Sequence, residues 1–197
     1  MTVCNVIDNL FDELFIQEIS NHVLNIRVSC TNIANRKTYP YGLEGTHRLF
    51  GTTLFSRQSV NHINKLEPEC ELFFPILKRI EEVIDLDLYC NEISLNTQLF
   101  GQDGTEHTDS EYGNDDLTII QFTTANWKPS YGGQFELIKP KGETEVYEYI
   151  PGRIIIFPSH IPHRGLSPTE PYQVRTSIAY RVKPLHKSFN NRTFAYS

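Results

Sequence analysis

Two histidines, one aspartate and one arginine carry most of the chemistry open to this chain. His107 and Asp109 are separated by one residue, His163 closes Phe157-Pro158-Ser159-His160-Ile161-Pro162-His163, and Arg175 follows twelve residues later. Two imidazoles and one carboxylate occupy one face of a ferrous-iron octahedron and leave the opposite face open for a co-substrate and dioxygen. An arginine fork matches a carboxylate through two parallel charge-assisted hydrogen bonds, so Arg175 suits the far end of a dicarboxylic acid. Ser177 adds a hydroxyl donor beside it. A His-x-Asp triplet alone is a short, common pattern that more often marks a surface loop. Here four elements agree in order and context.

Those side chains need elements that aim them. In an extended strand, residues i and i+2 point to one side, so His107 and Asp109 reach one metal while Thr108 faces away. The third ligand must come from another strand. Ile154-Ile155-Ile156-Phe157 is an unbroken apolar run between Gly152 and Pro158, the pattern of a strand buried on both faces, and it sets His163 at a strand mouth. Residues 175–181 alternate, which puts Arg175, Ser177, Ala179 and Arg181 on one face and projects Arg175 into the same cavity. His160 competes with His163 as ligand, three residues away. His47, in Gly45-Thr46-His47-Arg48, has no partner spacing and reads, like His22, His62 and His186, as an ordinary surface histidine.

The supporting elements follow from periodicity. Phe11, Leu14, Phe15, Ile19, Val23 and Ile26 recur at helical spacing, predicting an amphipathic helix over 12–26 that packs on a sheet. A second helix is predicted over 68–84, with Pro68 in its first turn and Pro75 either kinking it or delaying its start. Beyond residue 85 the signals become short strands at 93–100, 117–124, 134–137, 146–150, 153–157 and 176–182. Helices followed by strands indicate a mainly β, mostly antiparallel sandwich backed by helices. Tyr39-Pro40-Tyr41-Gly42-Leu43-Glu44-Gly45 and Trp127-Lys128-Pro129-Ser130-Tyr131-Gly132-Gly133 combine turn formers with aromatics. Either segment suits a substrate-covering loop. For the second, packing of Trp127 and Tyr131 beneath a long turn stands beside that reading.

Composition narrows the class. The chain has 197 residues, within single-domain range. It divides into a helical N-terminal support with substrate loops (1–85), a core (86–183) and a tail (184–197) that either docks or stays mobile. Hydrophobic residues make up 39%, with no apolar run of about twenty residues for a membrane span. Met1-Thr2-Val3-Cys4-Asn5 shows no basic region leading into an apolar stretch, so the expectation is a soluble, cytoplasmic protein. Cys4, Cys30, Cys70 and Cys90 form no metal-like cluster and read as small, buried, reduced side chains. A net charge of −6 disfavours a general nucleic-acid binder.

The motifs also carry a family resemblance. In order stand Gln98-Leu99-Phe100-Gly101, the His-x-Asp, Leu117-Thr118-Ile119-Ile120, Gly132-Gly133-Gln134-Phe135-Glu136-Leu137, Gly152-Arg153-Ile154-Ile155-Ile156-Phe157 and His163. Over residues 86–182 the chain resembles the iron(II)- and 2-oxoglutarate-dependent oxygenases, and within them the prolyl 4-hydroxylase-like branch. The resemblance implies a double-stranded β-helix, a cupin-like jelly roll whose sheets enclose iron at one open end. It implies His107, Asp109 and His163 as catalytic iron ligands, and Arg175, with Ser177 in an Arg-x-Ser pattern, on the distal carboxylate of 2-oxoglutarate. It brings Fe(II), 2-oxoglutarate and O2 as cofactor and co-substrates, with ascorbate as an accessory. The implied reaction is hydroxylation of an unactivated C–H bond, foremost in a prolyl residue of a peptide or protein, with release of succinate and CO2.

The chain also departs from the family pattern. Collagen-type prolyl hydroxylases usually carry lysine where Arg175 stands, so this chain looks nearer to arginine-bearing relatives. Phe100 stands where relatives often have tyrosine, which leaves Tyr89 or Thr118 as the hydroxyl donor to the co-substrate. Asp109 is retained, favouring hydroxylation over halogenation. Other readings remain: a free amino acid or another small molecule as substrate, nucleic-acid demethylation suggested by the Arg175 to Arg181 spacing, a cupin-like metalloenzyme without 2-oxoglutarate, and a binding module without catalysis.

Overall fold

Helix formation begins where a side chain can replace a missing backbone acceptor. The structure, a computed structural model, describes residues 4–33, 48–57, 65–139 and 142–185. After strand β1 (Asn5–Ile7), the Asp12 carboxylate accepts from the Phe15 N–H at 2.8 Å and opens α1 (Glu13–Leu24). That bond satisfies one of the donors a helix start leaves orphaned. Strands β2 (Ser29–Ile33), β3 (Arg48–Ser56) and β4 (Lys65–Leu66) follow, then a 3-10 turn at Pro68–Cys70 and α2 (Phe73–Ile84). Pro75 falls in the first turn of α2, where no intrahelical N–H is needed, so it delays the helix rather than kinking it.

The remaining strands are β5 (Leu88–Gln98), β6 (Leu117–Phe122), β7 (Phe135–Ile138), β8 (Thr144–Tyr147), β9 (Ile154–Pro158), β10 (His163–Gly165) and β11 (Arg175–Pro184). They form two antiparallel sheets, one ordered β1-β9-β6-β11-β5-β3-β2 with β4 on β3, the other β10-β7-β8. Together with the two helices this is a jelly roll, mainly β with flanking helices. Two cores result. Ile19, Val23, Phe73, Ile76 and Ile80 of the helices pack on Ile93, Leu95, Ile119, Ile156, Ile178 and Tyr180 of the large sheet. Between the sheets lie Ile120, Phe122, Phe135, Leu137, Ile155 and Phe157, with Trp127 and Tyr149. Strand β9 divides its residues between both cores, which is why its run is apolar throughout.

Strands β5 and β11 divide differently. Apart from Ala179, their buried apolar residues face the helices, and alternation turns Glu92, Ser94, Asn96 and Gln98 to the opposite face beside Arg181, Ala179, Ser177 and Arg175 respectively. One wall of the cavity is therefore polar and the other aromatic.

The first 85 residues are not only helical support: β1 extends the large sheet at one edge, and β2, β3 and β4 build the other. These strands are short or interrupted, with bulges in the β2–β3 and β3–β5 pairings that break the two-residue period. β5 starts at Leu88 rather than 93 and stops before the exposed Leu99 and Phe100. β8 ends at Tyr147 rather than 150, because Tyr149 turns beneath the sheet to donate to the Thr176 carbonyl at 2.7 Å.

Replacing Asp12 by alanine should cost about 1 kcal/mol through loss of the helix cap. Urea unfolding would show a lower midpoint with an unchanged slope.

Candidate metal centre

Residues 99–116 form the loop between β5 and β6, so His107 and Asp109 do not lie on an extended strand. A single antiparallel bridge does the positioning instead. The His107 N–H donates to the His163 carbonyl at 3.1 Å, and the His163 N–H returns a bond to His107 at 2.9 Å. The Gly104 N–H donates to Gly165 at 2.8 Å, and the Asp109 N–H to Ser159 at 2.8 Å. His163 is likewise not at the mouth of β9. The turn at 159–162 carries the chain across to the small sheet, where His163 is the first residue of β10.

One ligand atom each from His107, Asp109 and His163 lies within 4.8 Å of the others. Asp109 Oδ2 is 3.6 Å from His163 Nε2, and Oδ1 is 3.9 Å from His107 Nε2. Both Nδ1 atoms face backbone carbonyls, Thr105 at 2.9 Å and Ile161 at 2.8 Å. A carbonyl only accepts, so Nδ1 carries the hydrogen and each Nε2 keeps its lone pair for a metal. Asp109 is anchored from both sides, Oδ2 accepting from Thr118 Oγ1 at 2.8 Å and Oδ1 from Arg181 Nη2 at 3.0 Å.

Burial pushes the Asp109 carboxyl up, but the imidazoles and Arg181, with the Thr118 hydroxyl, outweigh it and hold it below the ordinary carboxylate range. Burial pulls His163 down to about 4 against the opposing pull of Asp109. An anionic carboxylate and a neutral imidazole are the forms that bind a metal. The His107 side chain is 43% exposed and marks the open side. This donor set fits ferrous iron.

Arg175 is 1% exposed. Its Nε donates to the Gly133 carbonyl at 2.8 Å and Nη1 to Gln98 Oε1 at 2.7 Å, with Ser177 Oγ 3.5 Å from Nη1. The guanidinium carbon lies 5.3 Å from the ring centres of both Phe122 and Tyr149. Nη2 is buried with no partner among the described residues. Burial lowers Arg175 to about 10, partly countered by Tyr149, so it stays cationic at neutral pH. A buried cation with an unused donor calls for an anion. Only a glycine lets the backbone come this near the guanidinium, because a Cβ on Gly165 would lie 3.2 Å from both Nη atoms.

The structure thus brings His107, Asp109 and His163 together, and places Ser177 beside Arg175. Thr118 sits on the metal carboxylate and shares a 2.9 Å bond with Ser159. Tyr89 is not brought together with Arg175: it lies opposite Lys183 at the other end of β5, 41% exposed, with Arg57 4.7 Å above its ring. His160 stands edge-on to Tyr112 at 5.1 Å, outside the triad. His22 is not a bare surface group, since its Nε2 meets the Glu69 carbonyl at 2.8 Å and ties α1 to the 3-10 turn. His47, His62, His186, the segment 39–45 and the tail beyond Leu185 lie outside the described residues. Trp127 is buried, donates to the Gly132 carbonyl at 2.9 Å and meets Tyr131 edge-on, so that segment packs as a turn. Cys30 is exposed, unlike Cys4, Cys70 and Cys90.

Sequence reasoning missed Gln98, Gly165 and the hold of Arg181 on Asp109. The Arg175 to Arg181 spacing was the one visible trace of the last.

Comparison with known proteins agrees with this geometry. No family model matches the sequence, and no curated protein does. Solved structures do match. A prolyl-4-hydroxylase from Pseudomonas putida aligns over 92% of both chains at 13% identity, with a TM-score of 0.64. A 2OG-Fe(II) oxygenase family oxidoreductase from Burkholderia pseudomallei aligns over 92% of this chain and 85% of its own at 16% identity, with a TM-score of 0.65. A prolyl hydroxylase from Trichoplax adhaerens, in complex with a hypoxia inducible factor oxygen degradation domain peptide fragment, covers 92% and 83% at 16% identity, with a TM-score of 0.60. The chain therefore has the fold of the 2OG-Fe(II) oxygenases, prolyl hydroxylases among them. Among the described residues no helix is long and apolar enough to cross a membrane.

Thr118→Val keeps the shape but removes the hydroxyl that fixes Asp109. Metal affinity should fall roughly 10- to 100-fold; a Mn(II) titration of both proteins measures it.

Proposed function

We propose that this chain is an iron(II)- and 2-oxoglutarate-dependent dioxygenase hydroxylating an unactivated C–H bond, with a prolyl residue of a peptide or protein as the leading substrate. The observation that carries the reading is a cavity with a His-Asp-His triad at one point and a buried, incompletely matched guanidinium at another. Strand β10 sets the spacing: His163 serves the triad and Gly165 borders the guanidinium, two residues along the strand, or about 7 Å. A short diacid held at its other end by a metal on the triad would carry its far carboxylate toward that guanidinium.

Ferrous iron and 2-oxoglutarate, when bound, supply the oxidising power, and the overall reaction takes R–H, O2 and 2-oxoglutarate to R–OH, succinate and CO2. The chain supplies position. His107, Asp109 and His163 would hold the metal, while Thr118 and Arg181 keep the carboxylate from rotating away. Arg175 fixes the far carboxylate, and Phe122, Phe135 and Phe157 keep water from the inner wall. The more exposed His107 leaves an approach for substrate.

The proline preference is supported by the prolyl hydroxylases among the structural neighbours. Nucleic acid is disfavoured, because Arg181 is engaged by Asp109 and, at 3.5 Å, by Glu92. The Arg175 to Arg181 spacing thus serves the centre rather than a phosphate. A metalloenzyme without 2-oxoglutarate would leave Nη2 of Arg175 unmatched.

Anaerobic protein loaded with Fe(II) should develop the weak visible charge-transfer band of the chelate on adding 2-oxoglutarate, and Asp109→Ala should lose it together with succinate production. Full turnover by that variant would sink the reading. Arg175→Leu should raise the half-saturating 2-oxoglutarate concentration about 10- to 100-fold by removing a charge-assisted contact, as steady-state succinate assays would show.

A further inference from the structure

Gln98 is buried at the end of β5, directly opposite Arg175 in register. A carboxamide can face either way, and here its neighbours decide. Two carbonyl oxygens, Gln102 at 2.8 Å and Gly165 at 2.9 Å, surround one end. Carbonyls only accept, so that end is Nε2, and Oε1 must face Nη1 of Arg175 at 2.7 Å. With Nε committed to Gly133 at 2.8 Å, two fixed acceptors define the guanidinium plane. What stays open is Nη2, while the second Nη1 hydrogen has only a long contact to Ser177 Oγ at 3.5 Å. The same carboxamide reaches beyond the pocket. Gly165, which accepts from Gln98, also accepts from Gly104, and Gln102 accepts from the Leu99 N–H at 2.8 Å within the loop that carries His107.

We propose that Gln98 is a positioning residue that aims Arg175 at the co-substrate carboxylate and fixes this pocket to the metal-bearing loop. The assignment rests on the dioxygenase reading and extends it to a residue with no ligand contact of its own. It also explains how the site works with Phe100 half-exposed and Tyr89 remote: the carboxylate is served by a guanidinium held rigid from behind, without a tyrosine hydroxyl. No other side chain of this size makes the same bonds. Leucine would take the near acceptor from Nη1 and the side-chain donor from both carbonyls, leaving Gly165 only its Gly104 donor, and glutamate would neutralise the guanidinium while turning lone pairs toward both carbonyls.

The chain carries one tryptophan, and its ring lies 2.9 Å from where a Cβ on Gly133 would stand, with Arg175 Cδ 3.2 Å from the same point. Trp127 fluorescence is thus a local reporter that needs no turnover. Mn(II)-loaded wild type, Gln98→Leu and Gln98→Glu would be titrated with 2-oxoglutarate, with Mn(II) affinity and Tm measured separately. Both variants should raise the 2-oxoglutarate Kd about tenfold or more, with a far smaller loss of Mn(II) affinity through the loosened loop. A lowered Tm with an unchanged Kd would show a merely structural residue and overturn the assignment. Should Gln98→Leu fail to fold, Gln98→Glu decides by the same criterion. Wild type that binds Mn(II) but not 2-oxoglutarate would instead overturn the dioxygenase reading, a separate outcome.

Discussion

A guanidinium taken wholly out of water is the constraint around which this molecule is arranged. Burying a cation costs several kcal/mol unless its donors are met, and Arg175 has its donors met on one side only. The acceptors come from the Gly133 turn, the end of β5 and, at longer range, β11 itself. Phe122 and Tyr149 close over the group, and Tyr149 is held in turn by Thr124 and Thr176. Gly165 lies against both Nη atoms, where any side chain would intrude. The fold tolerates the deficit because the surrounding aromatic and hydroxyl groups over-determine the position.

The metal triad obeys a second economy. Its residues come from the β5–β6 loop and the first position of β10, which meet through a two-residue bridge, and each imidazole takes its orientation from a carbonyl two positions back in its own chain. Local sequence therefore fixes the tautomers, while the bridge fixes the distance. Asp109, caught between Thr118 and Arg181, is the only ligand oriented entirely by the large sheet.

Much of this was legible in the chain itself. The period of Phe15, Ile19 and Val23 announced α1, and the run at 154–157 announced a strand buried on both faces. The grouping of His107, Asp109 and His163 followed from residue type and order. Strands β2 and β3 did not, because bulges and polar residues erase their alternation. Gln98 was invisible for a different reason. Nothing in the letter Q distinguishes a surface amide from one whose orientation is dictated by Gln102, Gly165 and Arg175, and that information exists only once β5, β10 and β11 are assembled. Tyr89 shows the converse: it had the right functional group, at the wrong end of its strand.

Strand β11 is paired along both edges and carries Arg175, Ser177 and Arg181 on a single face. Its amides should be among the last to exchange with solvent, opening only when the whole sheet does. The two ends of the site thus share one rigid ruler, and their separation has no soft mode of its own. A substitution that loosens α2, on the far face of the sheet, then lowers the fraction of competent molecules while leaving the intrinsic affinity of the rest unaltered. Fold stability acts here as a dial on active concentration.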